Sequence, residues 1–187
     1  AFGNSALLNN ETGSANLALG ARSLFSNVAG NSNIAIGGQA LSGNVDGERN
    51  VGIGLLSLVN NIGGKSNVAI GHSALWGNVS GNKNIAIGND ALRNSLDTHG
   101  NIAIGDSSLV SNDEGYSNIA LGTLTLSKNF SGFGNISIGN KAMLSNETGS
   151  ANTSIGTNAM YTQTYGDKNT SLGYWSMVDA NGGDENT

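Results

Sequence analysis

The sequence contains no cysteine and no proline, and only 11% of its 187 residues are charged. Without cysteine, neither a disulfide framework nor a thiolate metal site can form. The net charge is −5 and only eight residues are basic, which argues against nucleic acid as a partner. No apolar run approaches the roughly 18 residues that span a bilayer, so we expect no direct membrane insertion.

The sequence is rich in glycine and asparagine, and both recur with a fixed period. The motif Asn-aliphatic-small-aliphatic-Gly returns every 17 residues, and Asn186 begins a further copy. We number the repeat from this asparagine, which is position 1: Asn16, Asn33, Asn50, Asn67, Asn84, Asn101, Asn118, Asn135, Asn152 and Asn169. Position 5 is the turn glycine: Gly20, Gly37, Gly54, Gly71, Gly88, Gly105, Gly122, Gly139, Gly156 and Gly173.

Three further positions of the repeat are nearly invariant. Position 9 is leucine and then, from Met143 onward, methionine; position 8 is Ala, Ser or Thr. Position 15 is glycine except at Thr98, where His99-Gly100 moves the glycine two places later. The repeat becomes less regular over residues 143–187, where Thr153 and Thr170 replace aliphatic residues at position 2.

This pattern predicts an all-β fold, a parallel β-solenoid. Positions 2 to 4 alternate large, small, large, as in a strand, and the glycines at positions 5 and 15 permit turns with positive φ. A period of 17 residues is too short for a pair of helices. We therefore expect residues 1–187 to form one continuous array of eleven coils, with the position-1 asparagines stacked as an amide ladder.

The large residues at positions 2, 4 and 9 are expected to fill the core of each coil. Three such side chains per coil make a thin core. The small residues at positions 3 and 8 are expected at the surface, where another chain could approach closely. We therefore expect several chains to associate side by side.

The repeat units resemble those of known surface fibres. Asn33–Gly37, Asn84–Gly88 and Asn135–Gly139 resemble the head repeats of YadA-like trimeric autotransporter adhesins. The 17-residue form, with Ala-Leu and an Asn-x-x-Gly turn, is also similar to repeats of bacteriophage tail fibres. The resemblance implies a left-handed β-roll, a homotrimer, and an extracellular place on a bacterial surface or virion tail fibre. This chain has about three more residues per coil than the usual head repeat.

The sequence offers little to support catalysis, and we expect neither an enzyme, nor a cofactor, nor a metal site. The two histidines, His72 and His99, occupy different positions of the repeat and are expected to be exposed structural residues. Acidic residues gather at positions 13 and 14, and Asp97 lies one coil from Asp113 and Glu114. A solvated edge is the favoured interpretation; the alternatives are Ca²⁺ binding or the paired carboxylates of a glycoside hydrolase.

Aromatic residues concentrate in the last 72 residues of the chain. They lie in or near turns, where exposed rings can stack on sugars, although packing between chains is the favoured interpretation. These candidate ligand-binding residues are Tyr116, Phe130, Phe133, Tyr161, Tyr165, Tyr174 and Trp175.

The resemblance and the repeat together predict a shaft or head segment of a trimeric surface fibre or adhesin. Its partners would be two further copies of the chain and a cell-surface ligand such as a glycan. An ice-binding solenoid is the main alternative, and a tailspike-like glycan hydrolase is a further one.

Overall fold

The computed structural model describes residues 1–178 and 183–186, which form strands and turns without any helix. Ten three-residue strands form one parallel sheet in chain order, so the fold is an all-β parallel solenoid. The strands are β1 (Leu17–Leu19), β2 (Ile34–Ile36), β3 (Val51–Ile53), β4 (Val68–Ile70), β5 (Ile85–Ile87), β6 (Ile102–Ile104), β7 (Ile119–Leu121), β8 (Ile136–Ile138), β9 (Thr153–Ile155) and β10 (Thr170–Leu172).

Equivalent residues of the repeat pair with one another along the whole sheet, for example Leu17 with Ile34. The predicted count of eleven coils is wrong, because ten strands are joined by about nine complete 17-residue turns. The first motif copy contributes only an isolated bridge between Phe2 and Leu19. The copy that begins at Asn186 continues into Thr187, which lies outside the described residues, as do residues 179–182.

The faces of the strands are the reverse of the prediction. Ala35 in the middle of β2 is fully buried, whereas its neighbour Ile34 is 36% exposed. The central residue is buried and both flanking residues are more exposed in all ten strands. Positions 2 and 4 therefore form the outer surface of the sheet, and position 3 faces the interior.

The interior is narrow because positions 3 and 8 of the same coil face each other. The hydroxyl of Ser154 donates to the carbonyl of Ala159 at 3.1 Å, and the hydroxyls of Ser171 and Ser176 lie 2.5 Å apart. A Cβ added at Gly52 would lie only 3.1 Å from the hydroxyl oxygen of Ser57. Small residues are therefore needed in these two columns to let the coil close on itself.

Apart from the small residues at positions 3 and 8, the apolar core is a single column of long side chains at position 9. All of these residues have φ between +48° and +53°, in the left-handed region. A β-branched residue is strongly disfavoured there. This explains why position 9 holds only leucine or methionine, while the extended positions 2 and 4 are rich in isoleucine and valine. The fully buried members are Leu24, Leu41, Leu58, Leu75, Leu92, Leu109, Leu126, Met143 and Met160.

Replacing Leu75 by isoleucine should therefore destabilise the solenoid more than its unchanged volume suggests. We expect a loss of about 2 to 3 kcal/mol in the free energy of unfolding, because a β-branched side chain is forced to adopt positive φ. Leu75→Met is the control and should cost less than about 1.5 kcal/mol. Urea unfolding monitored by circular dichroism measures both values, and equal losses in the two variants would contradict the explanation.

The position-1 asparagines connect the backbones of successive coils. Asn33 Oδ1 accepts a hydrogen bond from the backbone N–H of Asn50 at 2.9 Å, and Asn33 Nδ2 donates to the carbonyl of Gly47 at 2.7 Å. Direct bonds between amide side chains are longer in this column, for example 3.2 Å from Asn67 to Asn50. These buried asparagines therefore satisfy turn and strand backbone groups more than they bond one another.

A tighter amide ladder lies at position 12, which the sequence analysis treated only as part of a turn. Asn27 donates to Asn10 at 2.7 Å, and the following three steps have the same length. The ladder stops where Ser95 replaces asparagine, which leaves the buried Oδ1 of Asn78 without a partner. It resumes from Asn112 to Asn146. The core of the solenoid is thus as much a hydrogen-bonded column as an apolar one.

Candidate functional site

The outer side of the sheet carries two parallel columns of side chains, from positions 2 and 4 of β1 to β10, which are all aliphatic except Thr153 and Thr170. We call this surface the aliphatic face. Neither column contains a charged residue, and stacking places equivalent side chains about 4.8 Å apart. Soluble monomers rarely expose a contiguous apolar patch of more than a few hundred Å², so the aliphatic face is a candidate interaction surface. Its most exposed members are Leu17, Leu19, Ile34, Ile70, Ile104, Ile136, Ile155 and Leu172.

Two of the predicted ligand-binding aromatics form a stack. Tyr116 and Phe133 both occupy position 16, in neighbouring coils, and their ring centroids lie 4.9 Å apart with the planes 3° from parallel. Both side chains are nearly half exposed. The coil spacing alone brings the rings into contact, and each ring covers one face of the other.

Three other aromatics cluster in the last coils. Trp175 lies 5.7 Å from Tyr161 and contacts Tyr174 edge-on, with a centroid distance of 6.1 Å. Tyr165 is exposed and makes no ring contact within the described part of the chain. Phe130 lies apart from both groups, in a groove described below. The structure therefore does not bring the seven predicted residues together into one site.

One junction between turns differs from the rest. At the neighbouring junctions, backbone N–H groups of the turn at positions 13 to 15 donate to backbone carbonyl groups of the same turn in the next coil. The N–H of Val79, for example, donates to the carbonyl of Leu96. Within residues 1–178, no backbone hydrogen bond joins the turn of residues 96–98 to that of residues 113–115. This interrupted junction follows the coil in which Thr98 stands in place of glycine and Ser95 in place of asparagine. The hydroxyls of Ser95 and Thr98 bond each other instead.

Two cavities open at the interrupted junction and share Leu96 and Asp113 as walls. One has a volume of about 390 Å³ and also contacts Trp76, Asn94 and Phe130. The other, of about 380 Å³, is lined by carboxylates and by an aromatic and an imidazole ring: Asp97, Glu114, His99 and Tyr116. Both volumes lie in the range of small-ligand sites. We call the two together the junction groove.

The groove contains an aromatic residue that the sequence analysis missed. Trp76 is 37% exposed, and the guanidinium carbon of Arg93 lies 5.5 Å from the centre of its ring. The signal for Trp76 in the sequence is its place in the repeat, because position 10 holds three aromatic residues, Phe25, Trp76 and Tyr161.

One cavity is lined by Asp97, Asp113 and Glu114, the acidic residues for which the sequence predicts stacking on one edge. Asp97 accepts hydrogen bonds from the backbone and hydroxyl of Ser80, and none of the three forms a salt bridge within the described residues. In residues 1–178 and 183–186, no group of three His, Cys, Asp or Glu side chains is arranged to hold a metal ion. The hydrolase hypothesis for these carboxylates stays a prediction.

The two histidines are both exposed, at separate places on the rod. His99 Nδ1 accepts a hydrogen bond from the backbone N–H of Asn82 at 3.0 Å, which requires that nitrogen to be unprotonated.

A hydrogen bond from Lys168 to Glu185 raises the pKa of Lys168 above its ordinary value of 10.5. Because a raised lysine pKa stabilises the fold only while the amine is protonated, this effect is lost only in strongly alkaline solution.

In comparison with known proteins, no family model, no curated protein and no solved structure matches this chain. None of the described residues belongs to a helix that is long and apolar enough to cross a membrane.

Proposed function

We propose that this chain is a structural segment of a homotrimeric surface fibre or adhesin, located outside the cell on a bacterial surface or in a virion tail fibre. The observation that carries the proposal is the aliphatic face, which runs along all ten strands and is uncovered in the single chain. Burying that face against other chains removes a large apolar area from water. The number three comes from the resemblance to YadA-like heads and phage tail fibres.

The fold suits a mechanical role. Ten strands at about 4.8 Å make a rod of roughly 43 Å in which each coil contacts its neighbours. Strand backbone bonds and the position-1 asparagine column continue from coil to coil, so bending the rod would break several hydrogen bonds at once. Such a rod holds a binding surface at a fixed distance from its attachment point.

The test is the solution mass of the chain and of charge variants of the aliphatic face. We expect light scattering to give about three times the single-chain mass of 18.9 kDa. The double variant Ile70→Lys and Ile104→Lys should give a monomer, because two charges would be buried without partners. Leu55→Lys and Ile62→Lys are matched controls, since both residues are half exposed but lie outside the face, and should preserve the mass.

The same experiment distinguishes the fibre from the ice-binding alternative. That alternative has one observation in its favour: the exposed face is regular, and Thr153 and Thr170 lie side by side on it. A parent chain that is monomeric and produces thermal hysteresis would contradict the fibre proposal and favour ice binding. An unchanged mass in the Ile70→Lys and Ile104→Lys variant would show that chains associate through another surface.

A further inference from the structure

We propose that the junction groove binds an amine-bearing oligosaccharide, which contacts Phe130, Leu96 and Tyr116. The inference rests on the adhesin function for its biological meaning, and it assigns that function a specific site. It replaces the scattered C-terminal aromatics with one groove made of two adjoining cavities.

The groove has a largely apolar surface. Phe130 is 48% exposed, as is Leu96 on the wall shared by both cavities. Trp76 lines the same cavity as Phe130, and Tyr116 lines the other. The C–H faces of pyranose rings pack against aromatic and aliphatic side chains of this kind. Exposed rings on turns of a rigid scaffold can make such contacts with little loss of conformational entropy.

Polar groups also line the groove, among these apolar ones. Asn94 and Ser111 line the cavity that contains Phe130, and Thr98 lines the one that contains Tyr116. An extended chain of sugars presents hydroxyl groups on its edges and C–H groups on its faces. A ligand pocket of this class combines apolar walls with a few polar groups that fix orientation. A purely apolar segment of another protein would leave those polar groups unsatisfied.

The negative charge of the groove selects the class of sugar. Asp97, Asp113 and Glu114 surround one cavity and have no cationic partner in the described residues. Arg93 lies over Trp76 and pairs with Asp90 at 3.5 Å. The other nearby cations, Arg49, Lys65 and Lys83, line a separate cavity that shares only His99 with this one. Three uncompensated carboxylates attract protonated amines and repel uronic or sialic acids. Asp113 borders both cavities, so it can reach sugars on either side of Leu96.

The groove also lies on a different part of the repeat from the aliphatic face. Its lining residues come from positions 10 to 16, whereas the aliphatic face consists of positions 2 and 4 of the strands. Association through the aliphatic face and binding in the groove therefore use separate residues. They can be tested independently on the same protein.

The experiment is calorimetric titration of the full chain with a β-1,4-linked glucosamine tetramer at slightly acidic pH. The N-acetylated tetramer and a galacturonic acid tetramer serve as neutral and anionic probes. We expect saturable binding of the glucosamine tetramer, at one site per chain, with weaker binding of the neutral probe and none of the anionic one. Phe130→Ser and Asp113→Asn should each weaken binding at least about tenfold.

Two control variants match the groove variants in chemistry. Phe25→Ser removes a position-10 ring that lies under Arg22 outside the groove, and Asp46→Asn removes an exposed turn carboxylate elsewhere. Both should leave affinity unchanged. Thermal unfolding of all four variants shows that each is folded.

Three results would overturn the inference. They are no binding of the glucosamine tetramer, equal weakening by Asp46→Asn and Asp113→Asn, or a lower solution mass for Phe130→Ser, which would make the groove a contact between chains. Equal affinity for the N-acetylated probe would overturn the assignment to amines. A trimer that does not bind refutes this inference alone, and a monomer that binds refutes only the fibre proposal.

Discussion

Replacing Gly37 by alanine is expected to lower the free energy of unfolding by at least about 3 kcal/mol. Gly37 has φ of +134°, and a Cβ built there would lie 2.5 Å from the carbonyl oxygen of Gly54. The neighbour is backbone and is fixed by its own coil, so it cannot move aside. From Gly3 to Gly156 the position-5 glycines of successive coils therefore form a column in which no side chain fits, at φ between +128° and +141°.

The adjacent glycine supplies the control. A Cβ at Gly38 would meet only the flexible end of the exposed Leu55 side chain, at 3.2 Å, and the same position holds Ala21 in the preceding coil. Gly38→Ala should therefore be neutral or raise the free energy of unfolding by up to about 1 kcal/mol, because alanine restricts the unfolded chain. Guanidinium chloride unfolding of both variants measures the difference. Similar values for the two would refute the close stacking of the glycine column.

The period and the parallel solenoid could be predicted from the sequence because the repeat is strict. A 17-residue interval between identical strand motifs fixes the register, and Leu17 indeed pairs with Ile34. The direction of the strand faces could not be predicted in the same way. Alternation shows that Ile34 and Ile36 share a face, but it does not show which face is inside. The usual expectation, that large apolar residues are buried, fails here because positions 3 and 8 leave no room for them.

The reversal changes the reason for association between chains. The small residues on which chains were expected to approach each other, such as Ala35 and Ala40, are fully buried within one coil. The exposed isoleucines and leucines of positions 2 and 4 give a stronger reason, because their burial contributes a hydrophobic free energy that alanines cannot supply. The expected partner stays the same, but the expected contact surface moves to the other side of the strand.

The groove was only partly visible in the sequence. Phe130 and Tyr116 were among the candidate aromatics, and Thr98 marked an irregular turn. What could not be foreseen is that Ser95 and Thr98 bond each other and that the backbone ladder stops between residues 96–98 and 113–115. These facts depend on geometry between coils, which a one-dimensional pattern does not contain.

Ser95 and Thr98 are expected to show strong energetic coupling, because positions 12 and 15 constrain each other. In the next coil, a Cβ built on Gly115 would lie 2.2 Å from Asn112 Oδ1, so asparagine at position 12 requires glycine at position 15. Ser95→Asn alone should therefore lower the free energy of unfolding by about 3 kcal/mol. Thr98→Gly alone should cost about 1 to 2 kcal/mol, because it leaves the buried Ser95 hydroxyl without its partner.

The double variant, Ser95→Asn with Thr98→Gly, should be at least as stable as the parent chain. The new asparagine would donate to the unpartnered Asn78 Oδ1 and join the two halves of the position-12 ladder. A double-mutant cycle by chemical denaturation should give a coupling energy of about 4 to 5 kcal/mol, the sum of the two single losses, and additive losses would contradict it. If the turn at residues 96–98 then bonds to the next coil like its neighbours, the junction groove closes. The double variant should therefore lose binding of the glucosamine tetramer while it gains stability, a combination that simple unfolding cannot produce.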